Sequence, residues 1–129
     1  MKKASILFVL LCILNSCFSG DDYVVDAALN GTWVLERAIC FCGFDEDFDF
    51  SAHKLTFDSS EQRVIVENSD DTSWFVTESG TYTFINDGGK ININGKLYTY
   101  QRRGDDLELT YVDNPNIADD ELTLLYNKN

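Results

Sequence analysis

Cys40 and Cys42 flank Phe41, and His53 follows downstream. Thiolates and an imidazole are zinc ligands, but a structural site wants four of them and C-x-C spacing is unusual. In a regular strand, residues i and i+2 share a face with Cα atoms about 6.6 Å apart, near the upper limit for a disulfide. Free structural thiols and a Cys40–Cys42 disulfide therefore both stay open, and no metal is expected. Asp45, Asp47 and Asp49 match the first three ligand positions of a calcium-binding EF-hand loop. Position six is Phe50 instead of Gly and position twelve is Thr56 instead of Glu, so that motif fails. A looser calcium site or a solvated loop remains, with Phe44, Phe48 and Phe50 as apolar anchors able to fold over the end of a barrel. His53 has no nucleophile at a recognisable spacing, and no G-x-S-x-G, Walker or H-E-x-x-H element occurs. Catalysis is not expected, and no cofactor. Arg103-Gly104-Asp105 spells an adhesion-type tripeptide, but a hairpin turn wants Gly there anyway.

The chain that must position these groups is short. Its 129 residues make room for one domain. A hydrophobic fraction of 44% with 13% aromatics is that of a packed core, since disordered chains are poor in aromatics. Lys plus Arg is 10 and Asp plus Glu is 22, a net charge of -12. Phosphate backbones repel such a surface, which argues against nucleic acid as a partner. No run of 18 apolar residues occurs, so no ordinary transmembrane helix is expected.

Residues 1–16 read as an export signal. Lys2 and Lys3 precede an apolar run from Ile6 to Leu14, too short to span a bilayer and the right length for a signal. Leu14-Asn15-Ser16-Cys17 resembles the lipobox of bacterial lipoproteins. The resemblance implies cleavage before Cys17, diacylation of its sulfur and acylation of the new amine, with fatty chains such as palmitate. Each buried CH₂ contributes about 0.8 kcal/mol, so three chains hold a protein on a membrane. Phe18 follows the Cys where an inner-membrane retention signal has Asp, which points to the outer membrane. Asp21-Asp22 is similar to a surface-export signal of some Gram-negative lineages. Residues 17–28 would be a lipidated tether and 29–129 the folded domain.

From Leu29 onward, short alternating runs recur between Gly, Asn, Asp and Ser, and no window carries a clean helical period. Strands are expected near 32–40, 53–58, 63–67, 73–77, 80–86, 90–94, 96–102, 106–112 and 121–127, the fourth and fifth fusing at Ser79-Gly80 to leave eight. Asp87-Gly88 and Asn94-Gly95 suit type I′ turns, and Gly104-Asp105 suits type II′. Two-residue loops fix register. The first turn then pairs Phe84 with Ile91 and Tyr82 with Ile93; the second pairs Ile91 with Tyr98; the third pairs Tyr100 with Leu109 and Tyr98 with Tyr111. Opposed residues share a face. One face thus carries Tyr82, Phe84, Ile91, Ile93, Tyr98, Tyr100, Leu107, Leu109 and Tyr111. The other carries Thr81, Thr83, Lys90, Asn92, Thr99, Glu108 and Thr110, with Ile85 and Leu97 as apolar exceptions. Such a meander must close or stack. Trp33, Leu35 and Ile39, Leu55 and Phe57, Val64 and Val66, and Leu122, Leu124 and Tyr126 supply the rest of the core. The expected fold is all-β, an up-and-down antiparallel barrel of about eight strands.

Gly31-Thr32-Trp33 opens the first strand as G-x-W does in lipocalins. With the lipobox, LTFDSSEQRVIVEN, SGTYTF and the length, residues 29–127 resemble the small bacterial lipocalin-like lipoproteins. The chain departs from full lipocalins in lacking a Thr-Asp-Tyr-type second motif, the C-terminal helix, and an Arg in the last strand to stack on the Trp. Arg37 is the nearest basic candidate for that end. The resemblance implies a lipid-anchored, non-catalytic outer-membrane protein that binds a small, mostly apolar ligand in the barrel mouth. Trp33, Phe57, Phe84, Tyr98, Tyr100 and Tyr111 would line the pocket, hydroxyls setting orientation. The alternative is a structural or protein-interaction module with a filled core.

Overall fold

A computed structural model describes residues 23–40, 43–72, 75–112 and 122–129. The export signal, Cys17, Cys42 and Trp74 lie outside the described residues. Eight strands follow in order: β1 (Gly31–Ile39), β2 (Lys54–Asp58), β3 (Arg63–Glu67), β4 (Gly80–Asn86), β5 (Lys90–Ile93), β6 (Lys96–Arg103), β7 (Asp106–Tyr111) and β8 (Thr123–Lys128). Each pairs antiparallel with its sequence neighbour, and β8 returns to β1, closing the barrel. The expected fold class is the observed one. Closure follows from alternation: β3 buries Val64 and Val66 and exposes Arg63, Ile65 and Glu67. Apolar side chains fill the inside and Thr, Lys and Glu face out, the reverse of a transmembrane barrel's lipid-facing band. No helix among the described residues is long and apolar enough to cross a membrane.

Two of the three hairpins have the expected register. Ile91 faces Tyr98, Tyr98 faces Tyr111 and Tyr100 faces Leu109. The first differs: Phe84 faces Ile93 and Asn86 faces Ile91, while Tyr82 sits opposite Val64 of β3. The turn is centred on Gly88-Gly89 instead of Asp87-Gly88. The Asp87 carboxylate accepts from the Gly89 and Lys90 amides at 3.1 and 2.8 Å, holding Asp87 just ahead of the turn. The slip is two residues, so every side chain keeps its face.

Two further expectations are corrected. Ile39 is 50% exposed because Glu36 is an extra, bulged residue. Leu35 faces Tyr126 and Arg37 faces Leu125, so the bulge inverts the alternation and Ala38 turns inward in place of Ile39. Residues 75–77 are not a strand. Phe75 and Val76 are consecutive and both buried, which no strand over a single core permits. Val76 takes φ +63°, and the Thr77 amide donates to the Phe75 carbonyl at 2.7 Å, closing a tight γ-turn.

The barrel has two ends. The base gathers the turns 59–62, 87–89 and 104–105, and Val24–Asn30 runs across it. The Val24 amide donates to Asn86 O, the Ser59 hydroxyl to Asp26 O, and the Ser59 amide to the Asn30 side chain. Among the described residues, contact with the barrel thus extends back to Val24. The rim carries the loops that join β1 to β2 and β3 to β4, and the Asn94-Gly95 turn.

Candidate functional site

At the base, Leu29 is fully buried at the end of a short 3₁₀ turn (Ala27–Leu29) that Asp26 caps. The Trp33 indole N–H donates to Leu29 O at 2.8 Å. Lys128, beside Trp33 on β8, lies over its ring with Nζ 5.3 Å from the centroid. This cation fills the place that the sequence reading offered to Arg37, which is exposed on β1 beyond the bulge. A Cβ at Gly31 would meet Lys128 Cε at 3.0 Å, and Gly31 has φ +115°. The glycine of Gly31-Thr32-Trp33 thus both takes a left-handed backbone and leaves the path by which the lysine stem reaches the ring.

At the rim, His53 is fully buried and closes a hydrogen-bonded chain. The Asn68 amide nitrogen donates to Thr77 O, which turns its oxygen toward His53. The His53 Nδ1–H donates to that oxygen at 2.6 Å, and the Tyr126 hydroxyl donates to Nε2 at 2.8 Å. This assignment satisfies every partner with a neutral ring. Burial, partly offset by the Asn68 contact, lowers the His53 pKa to about 4. Burial likewise pushes the Tyr126 and Tyr98 phenols up, so both stay protonated. Both His53 nitrogens are engaged inside the protein, leaving none for zinc.

Loop 43–52 folds over this end as its phenylalanines suggested. The Phe44 ring lies 4.8 Å from Phe48, 5.1 Å from Phe50 and 5.8 Å from the fully buried Phe75. The rings are anchored inward while Asp45, Glu46 and Asp47 stay exposed. Asp45, Asp47, Asp49 and Asp71 border a surface cavity of about 420 Å³. Among the described residues no three His, Cys, Asp or Glu side chains are grouped to hold a metal ion. Asp49 is engaged in capping the 3₁₀ turn Phe50–Ala52, which holds its carboxyl below the usual range. Cys40 is disulfide-bonded, and it lies past the end of β1, where regular strand spacing no longer applies. Arg103-Gly104-Asp105 occupies the β6–β7 turn, Gly104 at φ +59° as a type II′ turn demands.

The six expected pocket residues all fall in or against a single core cluster and pack on one another there. Trp33, Phe57, Phe84 and Tyr98 are at most 2% exposed and belong to one packed core. Phe57 and Phe84 meet edge to face with centroids 5.1 Å apart. The Tyr98 and Tyr111 rings meet at a tilt of 50° with centroids 5.5 Å apart. The Tyr100 hydroxyl instead points to the base, accepting from the Asn86 amide at 3.0 Å and donating to Asp26 at 3.4 Å. The Tyr82 hydroxyl donates to Glu78 O. The phenols thus reach partners at both barrel ends. Three surface cavities are described, and none is lined by any of the six. One of them, about 320 Å³, is lined by Glu36, Gln101, Arg103, Asp106, Glu108 and Leu125 beside the β1 bulge.

Lys128, Asn68, Asn86 and Phe75 are the residues sequence reasoning passed over. Lys128 carried a signal: a lone cation in the last strand, where lipocalins place an Arg. Asn68 and Phe75 are brought into place by loops whose conformation no periodicity encodes, while Asn86 ends β4 on the inner face that Phe84 shares. No family model matches the chain, and no curated protein is significantly similar to it.

Proposed function

We propose that this chain is a non-catalytic, lipid-anchored barrel of the bacterial cell envelope, held on the outer membrane through Cys17, that serves as a structural or protein-interaction module. The observation that carries this reading is the filled interior. Trp33, Tyr98, Tyr126, Phe75 and Phe84 are the bulkiest of the fully buried side chains. No buried side-chain N or O among the described residues lacks a partner. An eight-stranded barrel is just wide enough for its own side chains or one small ligand, and this one is furnished with large rings. A binding site would be expected to leave polar groups waiting for a ligand. The lipobox-like Leu14-Asn15-Ser16-Cys17 supports the anchor.

Native mass spectrometry of the protein taken gently from its own membrane tests both halves. The expected species is the chain from Cys17 with its acyl groups and no further small molecule. Cys17→Ala should lose the acyl mass and leave the membrane fraction. An unacylated chain, or one carrying a stoichiometric ligand, overturns the corresponding half.

A second reading, a small mostly apolar ligand taken up at the rim, is favoured by one observation. The cover there is loop-borne: Phe44, Phe48 and Phe50 are half-buried on loop 43–52, not on strands. A ligand would enter by displacing those rings from Phe75.

A further inference from the structure

Tyr23, Val24 and Val25 are 37%, 45% and 53% exposed, three consecutive apolar side chains in contact with water. Ala27 and Ala28 continue the strip and are exposed too. The one acid within it, Asp26, is turned inward: its carboxylate accepts from the Ala28 amide and from Tyr100. The strip is fixed in place, because Val24 is bonded to Asn86 O and sits beside Gly88 of the β4–β5 turn, while Asp26 O holds Ser59. An apolar ribbon is thereby strapped across the base with its outer side uncovered.

We infer that this ribbon is a membrane-docking surface: the base of the barrel, led by Tyr23, Val24 and Val25, rests on the lipid bilayer, and the rim faces away from it. The inference rests on the acylation of Cys17 proposed above. Tyr23 lies six positions after Cys17 in the sequence, a reach of at most about 21 Å fully extended. An acylated Cys17 therefore holds the base, not the rim, against the headgroups. Tyr and Val suit that boundary, where an amphipathic ring sits at headgroup level and aliphatic side chains enter the acyl region.

Charge favours the same orientation. The rim exposes Asp45, Glu46, Asp47, Asp70, Asp71 and Glu78. Lys96, at the same end, gives its ammonium to Val76 O. Anionic lipids repel such a rim. The base mixes its signs. Arg63, Lys90 and Arg103 are exposed there, with Arg102 and Lys128 half-buried, beside Asp58, Glu61, Asp87, Asp105 and Asp106, and Arg63 is paired to Asp58 at 3.4 Å. It presents no acidic field to hold it off a bilayer.

The test uses the acylated chain in vesicles of phosphatidylethanolamine and phosphatidylglycerol. An environment-sensitive dye is attached at Val25→Cys or, in a second sample, at Asp47→Cys. Dye at position 25 should shift its emission to the blue by at least 10 nm and become several-fold less accessible to iodide; dye at position 47 should do neither. In acylated chain with Val24→Asp, position 25 should regain iodide access while the protein still floats with the vesicles. Acylated protein that floats while position 25 is quenched as readily as position 47 overturns the docking. A chain found unacylated by mass overturns the anchor instead, and the two failures are thus separate.

Discussion

Lys128 holds its ammonium 5.3 Å from the centre of the Trp33 ring, across the seam where the last strand meets the first. The contact joins the first strand to the last at the seam that closes the barrel. A cation over an indole face contributes about 0.5–2 kcal/mol. Gly31 makes it possible, being the residue whose side chain would collide with the lysine stem.

Lys128→Met should keep the stem's packing and lose the charge, lowering stability by about 0.5–2 kcal/mol. Gly31→Ala should cost about 1–3 kcal/mol, because it meets both an unfavourable φ and Lys128 Cε. In a Lys128→Ala background the steric part of the Gly31→Ala cost should shrink. Urea unfolding of the four chains closes the cycle; additive effects would contradict the coupling.

His53 should give the protein a pH dependence of its own. Its folded pKa of about 4 lies below the unfolded value of 6.5. The unfolded chain therefore binds the extra proton first as pH falls. The stabilisation from the neutral ring is complete above pH 6.5 and is lost between pH 6.5 and about 4, up to about 3 kcal/mol in all. Asp49, Asp58 and Asp87, whose pKa values are lowered by hydrogen bonds, act in a more acidic window. Stability measured from pH 7.5 to 4.5 should decline in the native chain and stay flat in His53→Gln.

Tyr126→Phe should leave His53 Nε2 buried without a donor and cost about 1–3 kcal/mol. Near-neutral behaviour in chemical unfolding would show that the hydroxyl is dispensable to the rim.

The Glu36 bulge makes a sharp contrast between neighbours. Ile39→Lys should change stability by no more than about 0.5 kcal/mol, since Ile39 faces water. Ala38→Asp, one residue earlier and packed on the core, should cost about 2–4 kcal/mol. Equal effects would place the bulge elsewhere.

Much of this fold is legible in the sequence because short turns carry register. Asn94-Gly95 and Gly104-Asp105 fixed Tyr98 against Ile91 and Tyr111 correctly, since each offers one favourable pair of turn residues. Asp87-Gly88-Gly89 offers two, and the choice between them depends on where the Asp87 carboxylate bonds. The face survived because both choices share parity. The inversion at Glu36 left one mark in the sequence: counting by twos from Trp33 and Leu35 puts the charged Arg37 inside, while the apolar Ile39 that follows it hid the break. Phe75 and Val76 misled because their burial is set by a γ-turn instead of a pleat. The expected pocket rested on inward phenols. Direction alone did not reveal that Asn86, Asp26, Glu78 and His53 would take up hydroxyls at either end of the barrel.

The central claim is that the barrel interior is full, and Trp33 fluorescence tests it most directly. In a Trp74→Phe background, Trp33 reports alone from within the core. Titration with fatty acids, a hydrophobic dye and an extract of the native lipids should produce no saturable change in its emission. A saturable one-to-one shift that Tyr98→Ala weakens would contradict the account and make the barrel a carrier.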